Sequence, residues 1–353
     1  MATAFMIDWL HGREVRRGYC ADQDFRGIGY PPRIPQQDRA TELNDVIARK
    51  APSISIILPT YNGAAYIRES LDSCLNQSFQ DLELIVVVDG STDDTEAILN
   101  SYSDPRLRVF QQNNRGLASA LNAGFAQARG RFFSWTSDDN IYLPEAMAVM
   151  WQYLKGHPQT AMVCTDCLSI DDSGKTFSYN RQSWACFLYR AEAASLAGPY
   201  RPEFPLVEDV DFFLRLRHFA GPIDRIPRPY YKYRAHNASL SSKQSAKRQF
   251  VSLRLHYDLV TRGVEQLDLK ELFFDRLSIA ALYRDHQSMD AIVQFAQDHN
   301  EPFVRDLASR RDFLKTPAGW MWNRLIIAAR GQRMRLQNSA LLLTQLARRR
   351  KAW

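Results

Sequence analysis

The sequence predicts an α/β fold, a mostly parallel sheet flanked by helices with a helical region after it. Three observations carry that prediction. Ser53 to Ile57 and Leu82 to Val88 are short, β-branched, almost wholly apolar runs, the pattern of strands buried on both faces. Each is followed by a polar or Gly-containing turn and then by apolar residues at helical spacing, the rhythm of alternating strand and helix. Two adjacent carboxylates, Asp138 and Asp139, then close a further apolar run of Phe132, Phe133 and Trp135.

Taken in order, the first strand ends in Leu58-Pro59-Thr60-Tyr61-Asn62-Gly63. The helix after it carries Tyr66, Ile67, Leu71, Cys74 and Leu75. The second strand ends in Val88-Asp89-Gly90-Ser91-Thr92-Asp93, and Thr95 to Leu99 opens the next helix. Leu107 to Phe110 reads as a third strand, Gly116 to Ala128 as a helix and Arg131 to Trp135 as a fourth strand. Open sheets of this kind bind ligands in the crevice at the carboxyl ends of their strands, where Pro59-Thr60, Asp89-Gly90 and Asp138-Asp139 all fall. Two like charges at a strand end repel one another, and a divalent cation bridging to phosphate oxygens makes that arrangement useful. The prediction is a metal–diphosphate site, and the alternative is a solvated Asp-Asp-Asn turn.

At this point the residues resemble a known family. From about Ser53 to Ser241 the chain is similar to the family-2 glycosyltransferases with the GT-A fold, through five blocks in family order. These are Leu58 to Gly63; Val88 to Asp93; Asn114-Arg115-Gly116-Leu117-Ala118 with Asn122, Ala123 and Gly124; Ser137-Asp138-Asp139; and Val207-Glu208-Asp209-Val210-Asp211 followed by Tyr233-Arg234-Ala235-His236. The segment Asp138 to Pro144 looks especially like the spore-coat polysaccharide glycosyltransferases of this family.

The resemblance implies a Rossmann-like GT-A domain over residues 53–241 and a nucleoside-diphosphate sugar as donor. A Mg²⁺ or Mn²⁺ ion would stabilise the departing diphosphate as a Lewis acid. Asp139 would be the direct metal ligand and His236 would complete the metal or diphosphate shell. Asp138 would bind the ribose or a metal-bound water. Pro59, Thr60, Tyr61, Asn62, Asp89 and Arg115 would complete the donor site, with Arg115 and Gly116 opening the third helix towards phosphate oxygens. Asn122 and Gly124 are read as packing residues. Asp209, just before a helix carrying Phe212, Phe213, Leu214 and Leu216, would be the general base of an inverting reaction, held ionised by the helix N-terminus. One of Glu208, Asp209 and Asp211 is expected to cap that helix instead. Glu208 and Trp184, with Phe187, Tyr189 and Arg190, are expected on the acceptor side or in the core. Val88 departs from the family pattern, since many members carry there an acid that contacts the base. UDP is the default nucleotide.

At 353 residues the chain is too long for one small core and suggests a catalytic domain with additions. Residues 1–52 match nothing in the family. Met6 to Leu10 could form a short helix, and Gly27 to Gln37, with Pro31, Pro32 and Pro35, reads as an extended linker. No apolar run approaches the ~20 residues needed to span a bilayer, and the start lacks a basic-then-apolar signal pattern. A cytoplasmic location is therefore expected, peripheral on the inner membrane face if the tail attaches. Five cysteines (Cys20, Cys74, Cys164, Cys167, Cys186) form no even framework and are expected as reduced thiols. The lone CxxC of Cys164-Thr165-Asp166-Cys167 reads as a strand rather than a zinc site.

Residues 242–314 read as helices, beginning with Phe250, Leu253, Leu255, Tyr257 and Leu259 and continuing through Leu272 to Tyr283 and Met289 to Ala296. Residues 315–353 carry nine Lys or Arg and no Asp or Glu. The whole chain is +6, so the remainder sums to six less nine, −3. Interleaved with Trp320, Met321, Trp322, Leu325, Ile326 and Ile327, this basic amphipathic tail suits an anionic bilayer surface. The alternative is packing on the body or in a homodimer. Nucleic acid is not expected as a partner, because no readout motif accompanies the charge. The expected function is an inverting, metal-dependent glycosyltransferase adding a sugar to a glycan or lipid-linked acceptor hydroxyl in surface polysaccharide synthesis. The alternatives are a nucleotidyltransferase, for which the Gly-rich basic loop after the first strand is missing, and a catalytically inactive membrane-associated assembly subunit.

Overall fold

The structure is a computed structural model describing residues 51–181, 184–236, 245–282 and 284–327. The expected N-terminal extension up to residue 50, Cys20, Tyr283 and the tail beyond 327 lie outside the described residues. The chain divides into two compact units, one formed by the part up to Tyr200 with Leu216–His236, the other by Arg201–Arg215 with the part from Asn237 onward.

Among the described residues the first unit holds a nine-stranded mixed sheet. Strands β1 (Ile54–Thr60), β2 (Leu82–Asp89), β3 (Leu107–Gln112) and β4 (Phe132–Trp135) alternate with helices α1 (Ile67–Leu75), α2 (Thr95–Asn100) and α3 (Leu117–Gln127). They lie parallel in the order β3-β2-β1-β4. All eight residues of β2 are buried, which explains the apolar run from Leu84 to Val88: a strand hydrogen-bonded on both sides and covered on both faces has no solvated face to present. Beyond β4 the sheet continues through β8 (Phe187–Arg190), β6 (Met162–Ile170), β9 (Ile223–Arg234) and β5 (Ile141–Tyr142), with β7 (Thr176–Asn180) paired to β6. On one face Ile54, Ile56, Leu58, Val86 and Val88 pack with Ile67, Leu71 and Cys74 of α1 and with Met147, Met150 and Leu154 of α4 (Ala146–Gly156). On the other, Gly124 of α3 lies directly against Ile57 and Val87, where a Cβ would collide with the Ile57 side chain. Cys164 and Cys167 both sit on β6 and are buried as free thiols. Three positions apart on a strand, they face opposite sides of the sheet.

In the second unit, helices α7 (Ser245–Thr261), α8 (Leu269–Leu282), α9 (His286–Asp298) and α10 (Val304–Lys315) enclose an apolar core of Leu253, Leu272, Phe273, Leu277, Met289, Ile292 and Leu307. The helical region expected from periodicity is therefore present. α5 (Ala191–Ala197) belongs to the first unit, and α6 (Glu208–Ala220) begins in the second and ends in the first.

Candidate active site

The parallel strands β1, β2 and β4 end with Thr60, Asp89 and Trp135, and the turn after β4 carries Asp138 and Asp139. Thr60 is the contact between the first and last of these strand ends: its hydroxyl donates to Asp138 Oδ2 at 2.5 Å. Burial raises the Asp138 carboxyl to about 6. The Thr60 hydrogen bond opposes the rise, and the neighbouring Asp139 charge adds to it. Gly63 leaves the space that Asp138 occupies, since a Cβ at Gly63 would collide with both Asp138 Oδ2 and Thr60 Oγ1. That is why the turn after β1 carries glycine there.

Asp139 has a divided environment. Its Oδ2 lies 2.9 Å from His236 Nε2, while Oδ1 is buried with no hydrogen-bond partner. A buried carboxylate oxygen left unpaired costs free energy unless a cation or donor meets it. Hard divalent cations prefer oxygen ligands, and Asp139 with Asp138 beside it fits one. Among the described residues no group of three or more His, Cys, Asp or Glu is placed to hold a metal, so a cation here would take its remaining ligands from the ligand and water. His236 reaches Asp139 from just beyond β9 and packs on the Tyr66 ring at 5.1 Å.

Arg234 organises this corner, a role that sequence reasoning missed. It is 1% exposed, and its backbone N–H donates to Asn140 Oδ1 at 2.8 Å. Its guanidinium donates to the Asp139 carbonyl (3.1 Å), to the carbonyls of Asp171 (3.2 Å) and Asp172 (3.1 Å), and to Glu69 Oε2 (2.7 Å). It also lies 4.6 Å from the centre of the Tyr66 ring. A guanidinium presents its donors in a fixed planar fork, so this one residue joins α1, the Asp-Asp turn and the turn after β6. The Tyr-Arg-x-His block and Asn140 were legible as motif positions. Glu69 gave no sequence signal.

The loops after β1 and β2 are stapled to each other. Asn62, at φ 55°, accepts the Thr92 N–H on its Oδ1 at 2.7 Å, and its own N–H donates to Ser91 Oγ at 3.0 Å. Gly63 N–H donates to Thr95 Oγ1 and Ala64 N–H to Asp93 Oδ2, both at 3.0 Å. Asp89 acts likewise. Its Oδ1 accepts from Gln112 Nε2 (2.7 Å) and Arg115 N–H (2.8 Å), and its Oδ2 accepts from Gly116 N–H (2.8 Å). The sequence suggested that the N–H groups of Arg115 and Gly116 face phosphate. In the structure both donate to Asp89, and the Asn62 and Asp89 side chains hold loops. The Arg115 side chain is exposed and Tyr61 is 52% exposed. Alongside, Val88, Gly90, Glu96, Gln111, Gln112 and Asn113 line a cleft of about 350 Å³.

On the acceptor-side expectations, Phe187 and Tyr189 are buried in the sheet and stacked on each other. Arg190 donates to the carbonyls of Leu154, His157 and Thr160. These three are packing residues, because their strand, β8, lies between β4 and β6 inside the sheet. Trp184 is half-buried in the turn before β8. Asn122 exchanges two hydrogen bonds with the Tyr200 backbone, at 2.8 and 2.9 Å, in keeping with a packing role.

In the second unit, Glu208, Asp209 and Asp211 all lie in the first turn of α6, entered through Leu206 at φ 73°. A non-glycine residue in that region stores backbone strain. Asp211, fully buried, is clamped by Arg201 and Arg215, with Arg215 Nη2 at 2.7 Å, and Arg201 also reaches Asp258 at 2.7 Å. Asp211 is thus the structural acid of the three. Glu208 is buried and Asp209 half-buried.

A mixed sheet whose parallel strands end in an Asp-Asp turn, with Arg234 closing β9 and His236 just beyond it, is an arrangement of the GT-A class of fold. Residues 55–209 match the model of Glycosyl transferase family 2, and through this domain the chain is similar to that family. An uncharacterized glycosyltransferase of Rickettsia prowazekii is 48% identical over 94 residues, 27% of this chain and 29% of its own length. The glycosyltransferase-family protein EpsH of Bacillus subtilis is 30% identical over 225 residues, 56% of this chain and 65% of its own. The chain thus spans less than two thirds of either relative. Among solved structures, S. aureus TarS 1–349 in complex with UDP-GlcNAc shares the fold with a TM-score of 0.56 at 18% identity, over 74% of this chain and 89% of that one.

Proposed function

We propose that the chain is an inverting, divalent-cation-dependent glycosyltransferase. It moves a sugar from a nucleoside-diphosphate sugar to the hydroxyl of a glycan or lipid-linked acceptor during polysaccharide synthesis. The observation that carries this reading is the buried, unpartnered Asp139 Oδ1 beside Asp138 at the carboxyl ends of the strands. Asp139 would hold Mg²⁺ or Mn²⁺ through that oxygen, while His236 fixes its other oxygen. The bound cation supplies Lewis-acid stabilisation of the departing diphosphate. Asp138, oriented by Thr60, receives a ribose hydroxyl. Tyr61, Pro59 and the cleft floored by Val88 receive the base. Since a valine accepts no base N–H, the amides of Gln111 and Asn113 take over that contact. UDP remains the default nucleotide.

Asp209 takes the proton of the acceptor hydroxyl as the hydroxyl oxygen bonds to the anomeric carbon and the bond from that carbon to the diphosphate breaks. Its place in the first turn of α6 favours the ionised form a base needs. Metal-dependent hydrolysis of a panel of nucleotide sugars tests the proposal, with Asp139→Ala as control. Turnover of one or more donors in the parent, abolished by the substitution or by chelator, is the expected result. A control as active as the parent would refute the site.

A further inference from the structure

The most unusual surface of the second unit is the helix over residues 317–327. Its start is well formed: Thr316 Oγ1 accepts the Gly319 N–H at 3.0 Å, and Pro317 occupies the first turn, where proline is tolerated. Its inward side, formed by Gly319, Trp320, Asn323, Ile326 and Ile327, is closely seated. Asn323, 1% exposed, donates to the Ser278 carbonyl of α8 at 2.7 Å. A Cβ at Gly319 would collide with the Phe313 carbonyl. The Trp320 ring lies 4.3 Å from the Arg284 guanidinium and 4.9 Å from that of Arg324.

The outward side is apolar. Met321, Trp322 and Leu325 are 61%, 53% and 65% exposed, and Ala318 is exposed with them. At 100° per residue these four share one arc of about 100°. A surface helix of a globular protein places its polar residues outward; this one presents an apolar arc there. Beyond residue 327 the sequence adds Arg330, Arg333, Arg335, Arg348, Arg349, Arg350 and Lys351 and no acid.

We propose that this face is a docking surface for an anionic lipid bilayer. Met321, Trp322 and Leu325 enter the headgroup boundary and Arg324 meets the lipid charge, in a stretch whose sequence from Lys315 on carries only basic charges. Tryptophan favours that boundary, and stable attachment requires two signals, which are here an apolar face and a basic segment. A second copy on the same face would bring two arginine-rich segments together, which repel. No described helix is long and apolar enough to cross a membrane, so the helix would lie on the surface.

Flotation of the full chain with vesicles tests this independently of any transferase activity. The parent should float with phosphatidylcholine–phosphatidylglycerol vesicles, remain below with phosphatidylcholine alone, and be released by salt. Met321→Ser/Trp322→Ser/Leu325→Ser should lose at least about tenfold in apparent affinity with an unchanged melting temperature, since the three side chains are exposed. If the triple variant unfolds, Trp322→Ser alone should still weaken flotation. A parent that ignores anionic vesicles overturns the proposal. So does equal flotation of parent and variants, which would mean that the segment after residue 327 binds alone. A parent dimer that the triple variant dissociates, without vesicle binding, would assign the face to a second copy instead.

Discussion

His236 Nε2 stands 2.9 Å from Asp139 Oδ2, across 97 residues of chain, and leaves the other Asp139 oxygen buried without a partner. The histidine thus fixes the carboxylate by one oxygen and presents the second. If that second oxygen holds the cation, the two residues should fail differently. Asp139→Ala should abolish the thermal shift that a nucleotide sugar with Mn²⁺ induces, a stabilisation of about 2.7 kcal/mol at a hundred times Kd. His236→Ala, which removes an orienting partner, should weaken metal affinity by about 10–100-fold and leave residual turnover. Titrating Mn²⁺ against the melting temperature separates the two. Equal behaviour of both variants and the parent would refute the assignment.

Asp89 makes a prediction about stability rather than chemistry. Its carboxylate receives three hydrogen bonds, from Gln112, Arg115 and Gly116, and it is 4% exposed. Asp89→Ala leaves those donors without their acceptor, at a cost of about 1–3 kcal/mol. Denaturant unfolding should show that loss. The loop from Asn113 to Gly116 should also become more accessible to protease. A variant as stable as the parent would mean that Asp89 is not what holds this loop.

Glu83 sets the response to acid. It pairs across β1 and β2 with Ser55 and accepts from Arg108 and Arg129. Burial pushes its carboxyl up, but the hydrogen bonds from Ser55, Arg129 and Arg108 outweigh burial and hold it below the usual glutamate value of about 4.5. A group depressed on folding stabilises the native state above its unfolded pKa and loses that contribution as pH falls through the folded value. Glu83→Gln should therefore be less stable than the parent at neutral pH by about 1–3 kcal/mol. The gap should close at a pH well below 4.5. Melting curves of both proteins across that range give the answer, and a gap independent of pH would exclude ionisation as its source.

The contiguous features were legible in the sequence and the assembled ones were not. β1, β2 and the Asp138-Asp139 turn could be read because each is a local pattern whose period and composition need no partner. Asp139 and His236 could be paired only through the family resemblance. The loop-holding use of Asn62 and Asp89 was hidden for a physical reason: a carboxylate or amide after a strand suits a ligand or a backbone N–H equally, and only tertiary placement decides. β9 was hidden differently. It contains Pro227 and Pro229, residues that argue against a central strand. The structure accommodates them where the β6–β9 register shifts, between Thr165 and Asp166.

Asp209 is the residue whose chemistry is most exposed to test. Of the three acids opening α6, Asp211 is buried and paired with Arg201 and Arg215. Removing it would strand two guanidinium groups and destabilise the unit. Asp209 is half-buried. Asp209→Asn keeps shape and hydrogen-bonding capacity but removes basicity, so kcat should fall by about 10²–10⁴-fold, with donor affinity and melting temperature unchanged. Asp211→Asn should instead lower the melting temperature. Steady-state kinetics beside thermal denaturation separates these outcomes. Full turnover in Asp209→Asn would move the base to another residue, with Glu208, buried one position earlier, the next to substitute.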